Sequence, residues 1–229
     1  MTAVPPPPPW TVTSVLEKSY LMARENFTAF VTVSLIFGAV SLVVDVLSLG
    51  LLSGIVHLLC GVATSICLTW GALQAMSGRK PEWETMLRQL QGPLFGRLLA
   101  LGVIQYLVIG LSAILVVPPF FLLALWAVTM PAMMIERGDI AGTFNRSIDL
   151  TRYRRLRILG TFLLWAVLFM VGAIVIGLLL GDGGLARLVL WIYGAVAATV
   201  LHPLPAIFYL LLREEKEGVS IEQMTAALD

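Results

Sequence analysis

The sequence predicts an all-α polytopic membrane protein, with six transmembrane helices paired as three hairpins beneath amphipathic cytoplasmic surface helices. Two observations predict this fold: six long apolar runs, and a one-sided distribution of Lys and Arg. The composition agrees, since 59% of the 229 residues are hydrophobic and 13% are charged, with a mean hydropathy of +0.92. Such a chain has no room for a separate soluble domain.

The apolar runs provide the six spans. They are Phe27–Val44, Leu49–Met76, Leu98–Val117, Phe120–Ile135, Ile158–Leu180 and Leu188–Leu212. Most are long enough, because about 20 apolar residues cross a hydrocarbon core about 30 Å thick. The fourth run is short, so it crosses only if it tilts or takes residues from the Pro118-Pro119 turn.

The basic residues predict the orientation. When the chain is divided at the apolar runs, all of its fifteen Lys and Arg residues except Arg187 fall on one side. The positive-inside rule places that side in the cytoplasm, together with both termini. A basic cytoplasmic face makes the anionic inner leaflet the first partner to expect.

A short segment with helical periodicity precedes each hairpin: Thr11–Asn26, Pro81–Gln91 and Asp139–Tyr153. The membrane domain, residues 11–212, therefore divides into three units, 11–76, 81–135 and 139–212. A Pro-rich tail (1–10) and a cytoplasmic tail (213–229) flank it. Pro5 to Pro9 are expected to form either a polyproline II stretch or a plain disordered tail.

The three segments share a pattern of apolar, spacer, basic, small polar and apolar residues. It reads Leu16-Glu17-Lys18-Ser19-Tyr20, Met86-Leu87-Arg88-Gln89-Leu90 and Phe144-Asn145-Arg146-Ser147-Ile148. All hairpins have one orientation, so a symmetry axis would run along the membrane normal. Short matches of this kind also arise by chance, and the sequence leaves a true duplication open.

The surface segments carry apolar residues three and four apart, so we expect them to lie in the membrane interface with the apolar side down. Asp139 and Thr143 are expected to cap the third segment.

The densest positive patch of the chain is an arginine cluster near the third segment. We define it as Arg146, Arg152, Arg154, Arg155 and Arg157. A basic residue near an anionic surface contributes about 1 kcal/mol, so the cluster is a candidate site for acidic lipid or for an acidic protein partner. It can equally serve only as a topology determinant.

Proline positions predict a second candidate feature, a helix kink or gate. His202 precedes Pro203, and Pro205 follows two residues later, so carbonyls of the sixth span lose their usual donors. This is either a gate with a binding pocket or a packing kink, and Pro131 in the fourth span has the same two interpretations.

Polar side chains within the spans are few. His57, Cys60, Thr64 and Cys67 share one face of the second span, which favours a buried helix contact over a soft-metal site because a fourth ligand is lacking. Gln105, Trp126, Trp165 and Trp191 are interpreted as interhelical hydrogen-bonding or interface residues.

The pattern argues against catalysis. Acyl or phosphoryl transfer needs a nucleophile with a base, or paired carboxylates with a metal, and the spans offer neither. No nucleotide-binding loop is present. We therefore predict no catalytic residue, no metal, no cofactor and no nucleic-acid partner.

Four short motifs resemble a known family. They are Glu136-Arg137; Arg146-Ser147-Ile148-Asp149-Leu150-Thr151; Arg157-Ile158-Leu159-Gly160; and Phe208-Tyr209 with Arg213-Glu214-Glu215-Lys216-Glu217-Gly218. They look like the membrane domain found beside some glycerophosphoryl diester phosphodiesterases and in standalone bacterial membrane proteins. The resemblance implies a six-helix domain of a bacterial cytoplasmic (inner) membrane. It does not imply phosphodiesterase chemistry, because the roughly 250 residues of a catalytic barrel are absent.

We therefore expect a non-catalytic membrane protein that binds anionic lipid, associates with itself, or serves as an accessory subunit of a membrane assembly. The alternative is a transporter or channel for a small or lipidic solute, with the kinked fourth and sixth spans as moving parts.

Overall fold

Six helical segments are long and apolar enough to cross a membrane, which confirms the predicted all-α polytopic fold. They are Phe27–Val46, Leu51–Met76, Phe95–Leu115, Pro118–Glu136, Arg155–Leu180 and Gly184–Glu217. The computed structural model describes residues 10–47, 50–115, 117–219 and 223, and Pro5 to Pro9 lie outside this range.

The helices of the described residues follow the predicted order. They are α1 (Val12–Glu25), α2 (Phe27–Val46), α3 (Leu51–Met76), α4 (Trp83–Arg88), α5 (Phe95–Ser112), α6 (Val117–Leu125), α7 (Thr129–Glu136), α8 (Ile140–Thr151), α9 (Arg155–Leu180), α10 (Gly184–Leu201) and α11 (Leu204–Glu217). Asp139 caps α8 by accepting from the Gly142 amide at 3.0 Å, as predicted. Thr143 instead donates to the Asp139 carbonyl.

The spans pack as three hairpins: α2 on α3, α5 on α6, and α9 on α10. The first hairpin is made of two unbroken helices. In each of the other two hairpins, the returning span is interrupted. The fourth span is divided into α6 and α7, and the sixth into α10 and α11.

Prolines lie within or just after the two interruptions. The fourth span breaks at residues 126–128, so Pro131 becomes the third residue of α7 rather than a kink inside a continuous helix. The sixth span breaks at His202 and Pro203, and Pro205 becomes the second residue of α11. The physical reason is that the first turn of a helix has no partner for its amides, so a missing N–H costs nothing there.

Helices α1, α4 and α8 form a closed ring at one end of the bundle, and we call them the collar helices. The α4 helix packs on α2 and α3 of the unit before it, and α8 packs on α6 and α7 of the unit before it. The α1 helix packs on α9, α10 and α11 of the last unit, which closes the ring.

The buried face of the collar helices meets protein. In α1 the buried residues are Val15, Ser19 and Ala23, while the apolar residues Tyr20 and Leu21 are exposed. Part of the side that was predicted to face the membrane is therefore covered by protein instead.

The core lies at the collar end. Every residue of α7 from Thr129 to Ile135 is buried, as are half of those in α11, whereas no residue in the most apolar stretch of α9 is buried. The α11 helix continues to Glu217, beyond the predicted end of the membrane domain at Leu212. Trp10, assigned above to the tail, is only 8% exposed and its ring packs at a tilted angle against that of Phe208.

Candidate lipid-binding site

The structure divides the predicted arginine cluster into two sets. Arg146 and Arg154 form the first set, because both pair with carboxylates. The Nε of Arg146 lies 2.9 Å from Glu136 Oε1, and its Nη2 pairs with Glu217. Arg154 Nε lies 2.9 Å from Glu215 Oε1. The hydrogen bond with Glu215 raises the pKa of Arg154, so this guanidinium stays charged.

The carboxylates belong to the ends of α7 and α11, which α8 crosses. The Tyr209 hydroxyl donates to Glu136 at 2.8 Å, and Arg213 Nε donates to Glu217 at 2.7 Å. Burial alone would lower the pKa of Arg146, but its hydrogen bonds with Glu136 and Glu217 raise it. The first set therefore ties three helices together. The pattern of arginines alone does not predict this role, and the acidic run at the end of α11 is the signal in the sequence that could have revealed it.

Arg152, Arg155 and Arg157 form the second set. Among the described residues, no carboxylate lies within 4.0 Å of their nitrogens. Arg155 donates to the Ile148 carbonyl at 3.3 Å, and Arg157 donates to the Trp10 carbonyl at 3.0 Å.

Each guanidinium of the second set also packs on an aromatic ring. The distances from Cζ to the ring centroid are 5.1 Å from Arg152 to Tyr153, 5.6 Å from Arg155 to Phe121 and 5.8 Å from Arg157 to Trp10. The Nε of Arg155 is buried without an acceptor among the described residues. These contacts fix the arginines in place and leave hydrogen-bonding capacity for an anion.

Two exposed apolar side chains alternate with these arginines. Tyr153 is 82% exposed and Leu156 is 85% exposed. Tyr153 also has a φ of 72°, a left-handed conformation that is uncommon for a non-glycine residue. Exposed aromatic and apolar residues among basic ones at the start of a span are typical of the boundary between headgroups and acyl chains.

A cavity of about 340 Å³ lies between the two helix breaks. Its lining includes Ala127 and Thr129 beside the first break, and Leu201, His202 and Pro205 beside the second. The remaining lining residues come from α3, α5, α6, α7 and α9, and none of the lining residues is charged. The cavity is therefore an apolar space with a few uncharged polar groups.

Two of those polar groups bond to each other. Thr129 Oγ1 donates to Gln105 Oε1 at 2.7 Å, and Gln105 Nε2 donates to the Trp126 carbonyl at 3.2 Å. This is the interhelical bond expected of Gln105. It satisfies a carbonyl at the first break.

His202 also lines a second, open cavity of about 330 Å³ between α2, α3 and α10. Within the described part of the chain, its imidazole makes no side-chain hydrogen bond, while its carbonyl is 3.5 Å from Thr69 Oγ1. Pro203 is buried at the break itself. Of the predicted kink residues, His202 lines both cavities and Pro205 lines the first.

The His and Cys residues on one face of the second span, considered above as a soft-metal site, have separate contacts. His57 Nε2 lies 3.3 Å from Asp45 Oδ2, and Cys60 lines the second cavity. Cys67 is packed in a core cluster with Phe30 and Met86. In the described ranges, no group of three His, Cys, Asp or Glu side chains is placed to hold a metal ion.

Comparison of the chain with protein-family models, with curated proteins and with solved structures finds no match.

Proposed function

We propose that this is a non-catalytic lipid-binding protein of a bacterial cytoplasmic membrane, with both termini in the cytoplasm. Its ligand is the headgroup of an anionic phospholipid, bound by Arg152, Arg155 and Arg157. One observation carries the proposal: among the described residues no carboxylate lies within 4.0 Å of these three guanidiniums, although each of them packs on an aromatic ring.

A phosphate group supplies what these arginines lack. It brings several strong acceptors, and guanidinium groups bind such acceptors bidentately. An acceptor near Arg155 Nε would satisfy a donor that is buried without a partner. Tyr153 and Leu156 are exposed on the same stretch, and they would place the bound phosphate at the boundary of headgroups and acyl chains.

The expected binding free energy of the three arginines suits a selective but reversible lipid site. At about 1 kcal/mol for each basic residue near an anionic surface, three arginines supply about 3 kcal/mol. That is a preference for anionic over neutral lipid of roughly 100-fold.

The outward face of α9 supports a further part of the proposal, an accessory or self-associating role. Val171, Ile174 and Leu178 are exposed on this spanning helix, so they contact either lipid chains or another membrane helix. The membrane domain that accompanies some glycerophosphoryl diester phosphodiesterases remains the family we propose from the four motifs.

The test is lipid retention. The full chain and the triple variant R152Q/R155Q/R157Q are extracted gently from membranes, and native mass spectrometry reads the retained lipids and proteins. We expect the triple variant to lose most of the retained anionic lipid. The matched control is K18Q/R24Q/R88Q, which removes equal charge from the other two collar helices and should keep most of it.

Two outcomes would overturn the assignment. One is unchanged retention of lipid and of any protein partner in the inserted triple variant, and the other is an equal loss in both variants. The second result would mean that only net charge matters.

Transport of a lipidic solute is the alternative function. The observation that favours it is the mid-span cavity between two interrupted helices. The uncharged, mainly apolar lining argues against an ion or a sugar. Lipid flux in vesicles that survives both H202L and P203A would eliminate this alternative.

A further inference from the structure

We infer that the cavity between the two helix breaks is a second binding site, for an uncharged amphiphile with a long alkyl chain and one hydroxyl or ester group. This goes beyond the proposed function, which concerns a charged headgroup at the collar end. The inference depends on the position of the cavity, on the charge of its lining and on His202, a lining residue whose imidazole makes no hydrogen bond with another described residue.

The cavity lies near the middle of the spans. Gln105 and Trp165 line it, and they lie ten residues from the first residues of α5 and α9, Phe95 and Arg155. Ten residues of helix correspond to about 15 Å. A ligand at this depth is surrounded by acyl chains rather than by headgroups.

The lining excludes a charged ligand. It contains no Asp, Glu, Lys or Arg, so nothing in it compensates an ion. Moving an uncompensated charge into such a space costs many kcal/mol, whereas one hydroxyl or ester needs only one or two hydrogen bonds.

Of the polar side chains in the lining, His202 is the one that lies within a helix break, and we assign it the hydroxyl of the ligand. Gln105 and Thr129 already bond to each other and to the Trp126 carbonyl. The imidazole of His202 makes no hydrogen bond with another described residue and lines the cavity. A neutral imidazole offers one donor and one acceptor, which matches a single hydroxyl.

The apolar part of the lining receives the chain. Ile109, Leu123, Met130 and Phe162 face the cavity. Its volume of about 340 Å³ is at the lower end of the roughly 300–1,000 Å³ that ligand pockets span. We therefore assign it one alkyl chain rather than the body of a two-chain phospholipid.

Trp165 marks the entrance. It lines the cavity and also an open groove of about 480 Å³ between α1, α9 and α10, where Leu168 and Phe169 continue the apolar surface. A chain that lies in the groove can pass Trp165 and enter laterally from the membrane, so its hydroxyl reaches His202 without crossing water.

The experiment is photo-crosslinking of the purified full chain in nanodiscs of zwitterionic lipid. The probe is a long-chain primary alcohol that carries a diazirine on its chain, and peptide mapping locates the adducts. We expect adducts at Phe162–Ala166 and near Gln105, and competition by the unlabelled alcohol.

Variants separate the cavity from its polar group. H202L should weaken labelling about tenfold, whereas H202Q, which keeps a donor and an acceptor, should largely retain it. A166F fills the cavity from α9 while leaving the imidazole of His202 in the chain, and it should abolish labelling. A173F, two turns further along the same helix, is the matched control and should label normally. Thermal unfolding verifies that each variant is folded.

Adducts confined to outward residues such as Leu178 would overturn the site. Labelling that survives H202L but not A166F would overturn the ligand class, since the cavity would then accept any chain. The collar variant R152Q/R155Q/R157Q should label normally, and H202L should retain anionic lipid. Either proposal can therefore fail while the other stands.

Discussion

Ser19 and Ser147 hold the same position in the shared pattern of two collar helices, and each donates its hydroxyl to a carbonyl beside a helix break. Ser19 Oγ lies 2.6 Å from the Val200 carbonyl, and Ser147 Oγ lies 2.8 Å from the Leu125 carbonyl. Both side chains are fully buried. Each collar helix therefore supplies a hydrogen bond where the helix it covers is interrupted.

The second collar segment has no serine at this position, and the hairpin that it covers has no helix break. Gln89 stands at the corresponding position and donates back to the Thr85 carbonyl of its own segment. The hairpin that this segment covers, α2 and α3, is unbroken. Interruption of a span and a buried serine above it thus occur together.

Replacing either serine should destabilise the fold. S19A and S147A each leave a buried carbonyl without this donor, which costs about 1–3 kcal/mol. Reversible unfolding in mixed micelles measures the loss. The control is S112A, whose hydroxyl bonds within its own helix to the Ile109 carbonyl, and which should have little effect. Equal values for the three variants would contradict the role given to the collar serines.

Gln105 and Thr129 should be energetically coupled across α5 and α7. Q105L and T129V each break the 2.7 Å bond between them, so the double variant should cost less than the sum of the single variants by about 1 kcal/mol. Pairing Q105L with T64V gives the control, because Thr64 bonds to Cys60 in its own helix. Additive losses for Q105L and T129V would mean that the bond contributes nothing.

Gly102 should be intolerant of a methyl group because α3 and α5 touch there. A Cβ at this position would lie 2.5 Å from Val62 Cγ1, and overpacking costs about 1–3 kcal/mol. V62A should relieve G102A. The control in the same helix is G110A, where a Cβ meets nothing within 4 Å, and which should stabilise by up to about 1 kcal/mol. Similar unfolding midpoints for G102A and G110A would contradict this helix contact.

Removing the charge of Glu217 should loosen the collar end. Glu217 pairs with both Arg146 and Arg213, and a partly exposed ion pair contributes about 1 kcal/mol. E217Q should therefore lower the melting temperature, and the difference should shrink at high salt because ions screen the pair. E214Q removes the same charge one turn away and should change little. A salt-independent effect would point to packing instead.

The six spans could be predicted because a helix that crosses a lipid bilayer needs a long run of apolar residues. The described helices match the apolar runs of the sequence closely. The helix breaks were predicted less well. The sequence favoured a kink at Pro131, whereas the break precedes it, because proline fits best in a first turn.

The arginine cluster shows why the rest could not be read from local pattern. Five arginines close in sequence look equivalent, yet Arg146 pairs with Glu217, which is 71 residues away, and Arg155 pairs with no described carboxylate. Helical periodicity and charge counts carry no information about such distant partners. The same holds for Trp10, whose contacts with Phe208 and Glu215 lie about 200 residues along the chain.

The closed ring of collar helices sets the order in which the molecule can be assembled. A ribosome delivers α1 before α9, α10 and α11, whose surfaces cover Val15 and Ser19. While the spans in between are synthesised, α1 is therefore without its permanent neighbours. Docking of α1 onto the third hairpin has to wait for α11, so a polypeptide truncated before Leu204 cannot complete it.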